Sequence, residues 1–145
     1  FTITDAGSQM EAATKSADTL QTLLIAVASI VFFVGGVGIM NVLFVTVKER
    51  TGEIGLLKAL GSQKSVILSE FLLEAGMIAI FGGITGVAAG YALIPAAELL
   101  GTRAEPSVPA GVLSLVFAAA TGTIFGFYPA YKASRLTPIE ALSGE

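Results

Sequence analysis

Three stretches of the chain carry no charged side chain: Thr19 to Val47, Ala75 to Ala97 and Pro106 to Tyr131, of 29, 23 and 26 residues. Coiled as helices at about 1.5 Å per residue, each is longer than the ~30 Å hydrocarbon layer of a bilayer. Three transmembrane helices and an all-α, polytopic fold are predicted. Composition points the same way, with 54% hydrophobic and 13% charged residues and a mean hydropathy of +0.82, whereas soluble domains carry about 25% charged residues. A soluble α-bundle with three such runs would have almost nothing left to face water.

The first run ends abruptly at Lys48-Glu49-Arg50-Thr51-Gly52-Glu53, a segment that cannot enter lipid cheaply. Lys48, Arg50, Lys58 and Lys64 sit in this first loop and Lys132 and Arg135 in the tail, while the second loop holds only Arg103 and the N-terminal segment only Lys15. Basic residues resist translocation, so the first loop and C-terminus are expected in the cytoplasm and the N-terminus and second loop outside. The expected organisation is 1–7, the end of a preceding extracytoplasmic domain; 8–47, a stalk continuing into a transmembrane helix; 48–62, a charged cytoplasmic element; 63–97, the second span; 98–111, an outer loop; 112–132, the third span; and 133–145, a cytoplasmic tail. The net charge of -3 is spread over both sides.

Phe1 to Thr4 alternates apolar and polar residues like a last strand, and the chain reads as cut from something larger, with no signal peptide. Ser8 and Glu11 have capping-box spacing, which predicts a helix start near Ser8. Met10, Ala13, Ala17, Leu20 and Leu24 then recur at spacings of a coiled-coil seam. Continued to Val47, that helix is ~60 Å long. A stalk is the reading preferred over a solvated lead-in packed on its own domain.

Gly35, Gly36 and Gly38 in the first span, Gly82, Gly86 and Gly90 in the second and Gly122 and Gly126 in the third predict helix-packing faces, since missing side chains let backbones approach closely. Asn41 is expected near the headgroups. Ser62 is the predicted N-cap of the second span, with Glu70 and Glu74 one turn apart on one face. Glu70 lies only ~10 Å along that helix, which favours an interfacial or partner-facing role over proton coupling. Pro129 is expected to loosen the last turn of the third span. Tyr128, Tyr131, Lys132 and Arg135 suit the headgroup zone, and Thr137-Pro138-Ile139-Glu140 predicts a capped short helix along the membrane face.

Cysteine and histidine are both absent, which removes disulfides, thiolate chemistry and the commonest general base and metal ligand. No metal site, bound cofactor or catalytic group is expected on this chain, and no nucleic-acid partner. Gly61 to Ser65 has residue types of a phosphate loop at the wrong spacing and without a preceding strand. Nucleotide hydrolysis is expected on another chain or domain. Ile54, Leu57 and Leu60 fall on roughly one side of the charged element, as for a helix pressed into a partner's groove, with Glu49, Arg50, Glu53 and Lys58 setting register at the rim.

Val34-Gly35-Gly36-Val37-Gly38-Ile39-Met40-Asn41, then Glu49-Arg50-Thr51-x-Glu53-Ile54-Gly55 with Lys58-Ala59-Leu60-Gly61, then Phe71-Leu72-Leu73-Glu74-Ala75, and last Gly126-x-Tyr128-Pro129-Ala130 with Ala133 and Pro138 to Leu142, together resemble the C-terminal half of MacB/FtsX-type ABC transporter permeases. The resemblance implies a four-helix permease of the cell membrane whose first helix and large external domain precede Phe1. It implies a dimer, homo- or heteromeric, working with two ABC ATPase copies that carry ATP and Mg. Glu49, Arg50, Glu53, Ile54, Gly55, Leu57, Lys58 and Gly61 would form the ATPase-coupling element, and the long first helix would carry motion outward to an extracytoplasmic partner or cargo. The alternatives are an FtsX-like scaffold that activates an external hydrolase, and a stand-alone oligomeric three-helix protein.

Overall fold

The computed structural model describes residues 2–101 and 105–143. Five helices follow in order, α1 (Thr2–Glu49), α2 (Thr51–Ala59), α3 (Lys64–Leu99), α4 (Val108–Arg135) and α5 (Pro138–Ser143), and no strand occurs among the described residues. α1, α3 and α4 are long and apolar enough to cross a membrane. The all-α, multi-pass fold read from the three uncharged runs is therefore the one observed.

The chain divides into two compact units, Phe1–Gly35 and Gly36–Glu145. The first is the N-terminal part of α1, and it differs from expectation at its start. Thr2 to Thr4 are helical rather than extended, and Ser8 lies inside the helix, its hydroxyl donating back to the Asp5 carbonyl at 2.9 Å. A hydroxyl bonded within the preceding turn is not capping a helix end, so the Ser8–Glu11 box is not used. The seam residues Met10, Ala13, Ala17, Leu20 and Leu24 are all exposed.

In the second unit the core lies at one end of the helices. Val47 of α1, Ile54 of α2, Ile67 and Phe71 of α3, and Ala130 and Ala133 of α4 form one buried cluster, flanked by Leu68, Leu72 and Leu136. Beyond it α3 and α4 pack through small residues. A methyl added at Gly122 would lie 2.5 Å from Ala79 Cβ and 2.8 Å from the Ala75 carbonyl, and one at Gly126 would meet Ala75 and Leu43. Gly36 of α1 is closed by the Phe125 ring, and Gly83 by Ala118 and Leu115. The other predicted packing positions differ: Gly35, Gly38, Gly82, Gly86 and Gly90 face open space. Periodicity brings Gly82, Gly86 and Gly90 to one stripe, but the stripe beside it, through Gly83, is the one that meets α4.

Two boundary expectations are also corrected. The N-cap position of α3 is Gln63, extended and without a side-chain capping bond, rather than Ser62. Ser62 is taken up in ending α2: its N–H bonds the Leu57 carbonyl and the Gly61 N–H bonds the Lys58 carbonyl, both at 3.0 Å, with Gly61 at φ +93°. This is a Schellman closure, which needs the left-handed conformation that glycine adopts freely. The third span, expected to end at 132, continues through Pro129 to Arg135, and the Pro129 ring is fully buried. α5 starts as expected, with the Thr137 N–H donating to Glu140 Oε2 at 3.0 Å and the Glu140 N–H to Thr137 Oγ1 at 3.3 Å.

Candidate functional site

The predicted coupling residues surround α2, and the structure sorts them into an inner and an outer set. Arg50 stands at the α1–α2 junction, its N–H still bonded to the Thr46 carbonyl at 2.9 Å. From there its guanidinium reaches three carboxylates: Nε to Glu53 Oε2 at 2.9 Å, Nη2 to Glu70 Oε1 at 2.9 Å, and Nη1 toward Glu74 Oε2 at 3.8 Å. It also lies 5.7 Å from the centre of the Phe71 ring. A planar fork with five donors suits this geometry where a lysine would not. The hydrogen bonds it donates to Glu53 and then Glu70 hold the guanidinium even further toward its charged form than usual. Each ion pair is partly solvated and so contributes about 0–1 kcal/mol. Arg50 therefore fixes the direction in which α2 leaves α1 more than it stabilises the fold, and it gives Glu70 and Glu74 a partner inside the chain.

Ile54 and Gly55 are turned inward. Ile54 is 3% exposed in the common core, and a methyl at Gly55 would stand 2.8 Å from Ala141 Cβ of α5. The expected one-sided row Ile54, Leu57, Leu60 is thus split: Ile54 anchors α2 to its own chain, while Leu60 is 76% and Leu56 58% exposed. Lys58 is not a rim charge either. Its ammonium donates to the Ser134 carbonyl at 2.5 Å and to the Leu136 carbonyl, filling acceptors that the last turn of α4 leaves open. Burial, and after it the charge of Lys64, pushes the Lys58 ammonium below the usual lysine range, with Glu140 opposing.

The outer set is Glu49, Gly52, Glu53, Leu56, Leu57 and Leu60 of α2 and its approach, continued by Ile139 and Leu142 of α5, all exposed. An apolar strip rimmed by carboxylates, on a short helix held rigidly from behind, is suited to docking a protein partner. Reading the sequence missed the bracing: the Arg50–Glu70 pair, the Lys58 cap and the Gly55–Ala141 contact. Glu70 and Glu74 at one-turn spacing were a signal for the first; nothing local signals the other two, which join residues far apart in the chain.

Residues 25–138 match the family model described as FtsX-like permease C-terminal. Similar proteins include the macrolide export ATP-binding/permease protein MacB of Nitrobacter winogradskyi, 43% identical over 99% of this chain. The MacB of Bdellovibrio bacteriovorus is 42% identical over 100% of the chain. The pyoverdine export ATP-binding/permease protein PvdT of Pseudomonas savastanoi pv. phaseolicola is 39% identical, again over 100%. In each case the match spans 22% of the relative's own length. With its three long apolar helices, the charged α2 between the first two and the match across most of its length, the chain belongs to the FtsX-like permease C-terminal family.

Proposed function

We propose that this chain is the C-terminal membrane portion of an ABC exporter permease, and that the outer face of α2, extended by α5, receives an ATPase subunit or domain. The observation that carries the proposal is the exposure of Leu56 and Leu57 on a nine-residue helix, and of Leu60 at its C-cap, while Ile54 and Gly55 on the same helix are buried. Such an element moves as a body with the ends of α1, α3 and α4 when it is pushed. The relatives are named as ATP-binding/permease proteins that export macrolide or pyoverdine, which supports hydrolysis of ATP with Mg outside this segment and export or extraction of a cargo as the outcome. No catalytic role is given to this chain. The working unit pairs two permease copies with two ATPases, and α1 passes their motion outward to an extracytoplasmic domain or partner. The end bearing α2 and α5 is cytoplasmic, since Lys48, Arg50, Lys58, Lys64, Lys132 and Arg135 gather there.

Leu60→Glu and Leu56→Glu test this in the full-length protein with its ATPase in a bilayer. Both side chains are exposed, so insertion and thermal stability are retained, while cargo-stimulated ATP turnover falls about tenfold, the loss of roughly one well-packed apolar anchor. Full turnover in both variants places the dock elsewhere.

A further inference from the structure

Beside α5, where α4 ends, lies an open groove of about 440 Å³ lined by Tyr128, Tyr131, Lys132, Arg135, Leu136 and Glu140. Its two cations are held by aromatic rings. Lys132 Nζ stands 5.6 Å from the centre of the Phe44 ring, which itself meets Tyr128 edge-to-face at 5.8 Å. The Arg135 guanidinium lies 5.6 Å from the Tyr131 ring, and its Nη1 donates to the Tyr131 hydroxyl at 2.7 Å. Among the described residues neither cation pairs with a carboxylate. The carboxylate in the lining, Glu140, is tied by its Oε2 to the Thr137 N–H and hydroxyl. Three ammonium donors and most of the guanidinium's five remain for a ligand.

We propose that this groove binds the phosphate of an anionic glycerophospholipid. The ligand must be negative, to meet Lys132 and Arg135, and amphiphilic, because the walls are tyrosine rings and Leu136 while Tyr128 is 58% exposed. The groove stands at the end of a membrane-length helix, where aromatic and basic side chains meet headgroups. A free inorganic anion would leave the apolar wall unused. Glu140 keeps acceptor capacity at the rim, so a hydroxyl-bearing headgroup such as phosphatidylglycerol suits the site.

The test uses the full-length assembly in nanodiscs of mixed phosphatidylglycerol and phosphatidylcholine, counting lipids retained after release by native mass spectrometry. Wild type retains phosphatidylglycerol in preference, and Lys132→Gln with Arg135→Gln lowers that retention about tenfold or more, while Lys64→Gln, which removes one positive charge at the same end of the helices, leaves it unchanged. Millimolar inorganic phosphate does not displace the lipid. Equal retention of both lipids by wild type, an equal loss in Lys64→Gln, or displacement by inorganic phosphate each overturns the proposal; the first and last need no variant to fold.

Discussion

Gly126 and Gly86 share a sequence context of glycine within an apolar helix, yet a single added methyl has opposite consequences at the two positions. At Gly126 it strikes Ala75 and Leu43, whereas at Gly86 it enters open space. Gly126→Ala is expected to lower stability by about 1–3 kcal/mol through overpacking, read as a drop in thermal midpoint in detergent, and Gly86→Ala to leave that midpoint in place. Ile54 gives a second contrast. Its burial predicts that Ile54→Ala costs about 2–5 kcal/mol, so any loss of ATPase coupling in that variant accompanies unfolding and says nothing of docking. Leu60, exposed at the C-cap of that helix, tests the proposed dock without that confusion. The sequence marked all these residues as special; which of them face inward depends on α4 and α5, tens of residues away.

At the level of elements, the three spans and the short α5 were legible because each is written locally: run length for the spans, and the Thr137–Glu140 box for the helix after them. The start of α1 was not, because four alternating residues are compatible with a strand or with a first helical turn. The N-cap of α3 was misplaced for a related reason: Ser62 is a good capping residue, but the closure of α2 uses it first. α5 also carries a pH prediction. The Thr137 N–H, and then its hydroxyl, hold the Glu140 carboxyl below the usual carboxylate range. A depressed folded value stabilises above the unfolded one and is lost as pH falls through the folded one. Amide protection factors in α5, taken relative to the intrinsic exchange rate at each pH, should fall in that acid window, and Thr137→Ala should bring the lower protection to neutral pH.

Across the residues from Gly36 onward, packing is uneven along the membrane helices. The large buried side chains Leu43, Ile67 and Phe71 gather near α2 and α5, while farther along α3 and α4 meet through Gly83 against Ala118 and Leu115 and Gly111 against Tyr91 and Val87, side chains that stay partly exposed. Close packing at small residues is a usual basis of helix association in lipid, and here the far part of the pair carries none of the large fully buried side chains. Hydrogen exchange in nanodiscs should therefore find Ile67 to Ala75 more protected than Val87 to Ile94, by about tenfold if the difference in opening free energy is near 1.4 kcal/mol.

Lys58 joins α2 to α4 through carbonyl oxygens of Ser134 and Leu136 rather than through their side chains. Every residue type supplies a carbonyl, so the tether tolerates exchange at one end and not at the other. Ser134→Ala leaves its acceptor in place, whereas Lys58→Met keeps the length and removes the donor. Variation at this joint is thus limited on α4 by the space around the buried Ser134 rather than by hydrogen bonding, and on α2 by one donor, which makes position 58 the place where a single sequence change can disconnect the two helices.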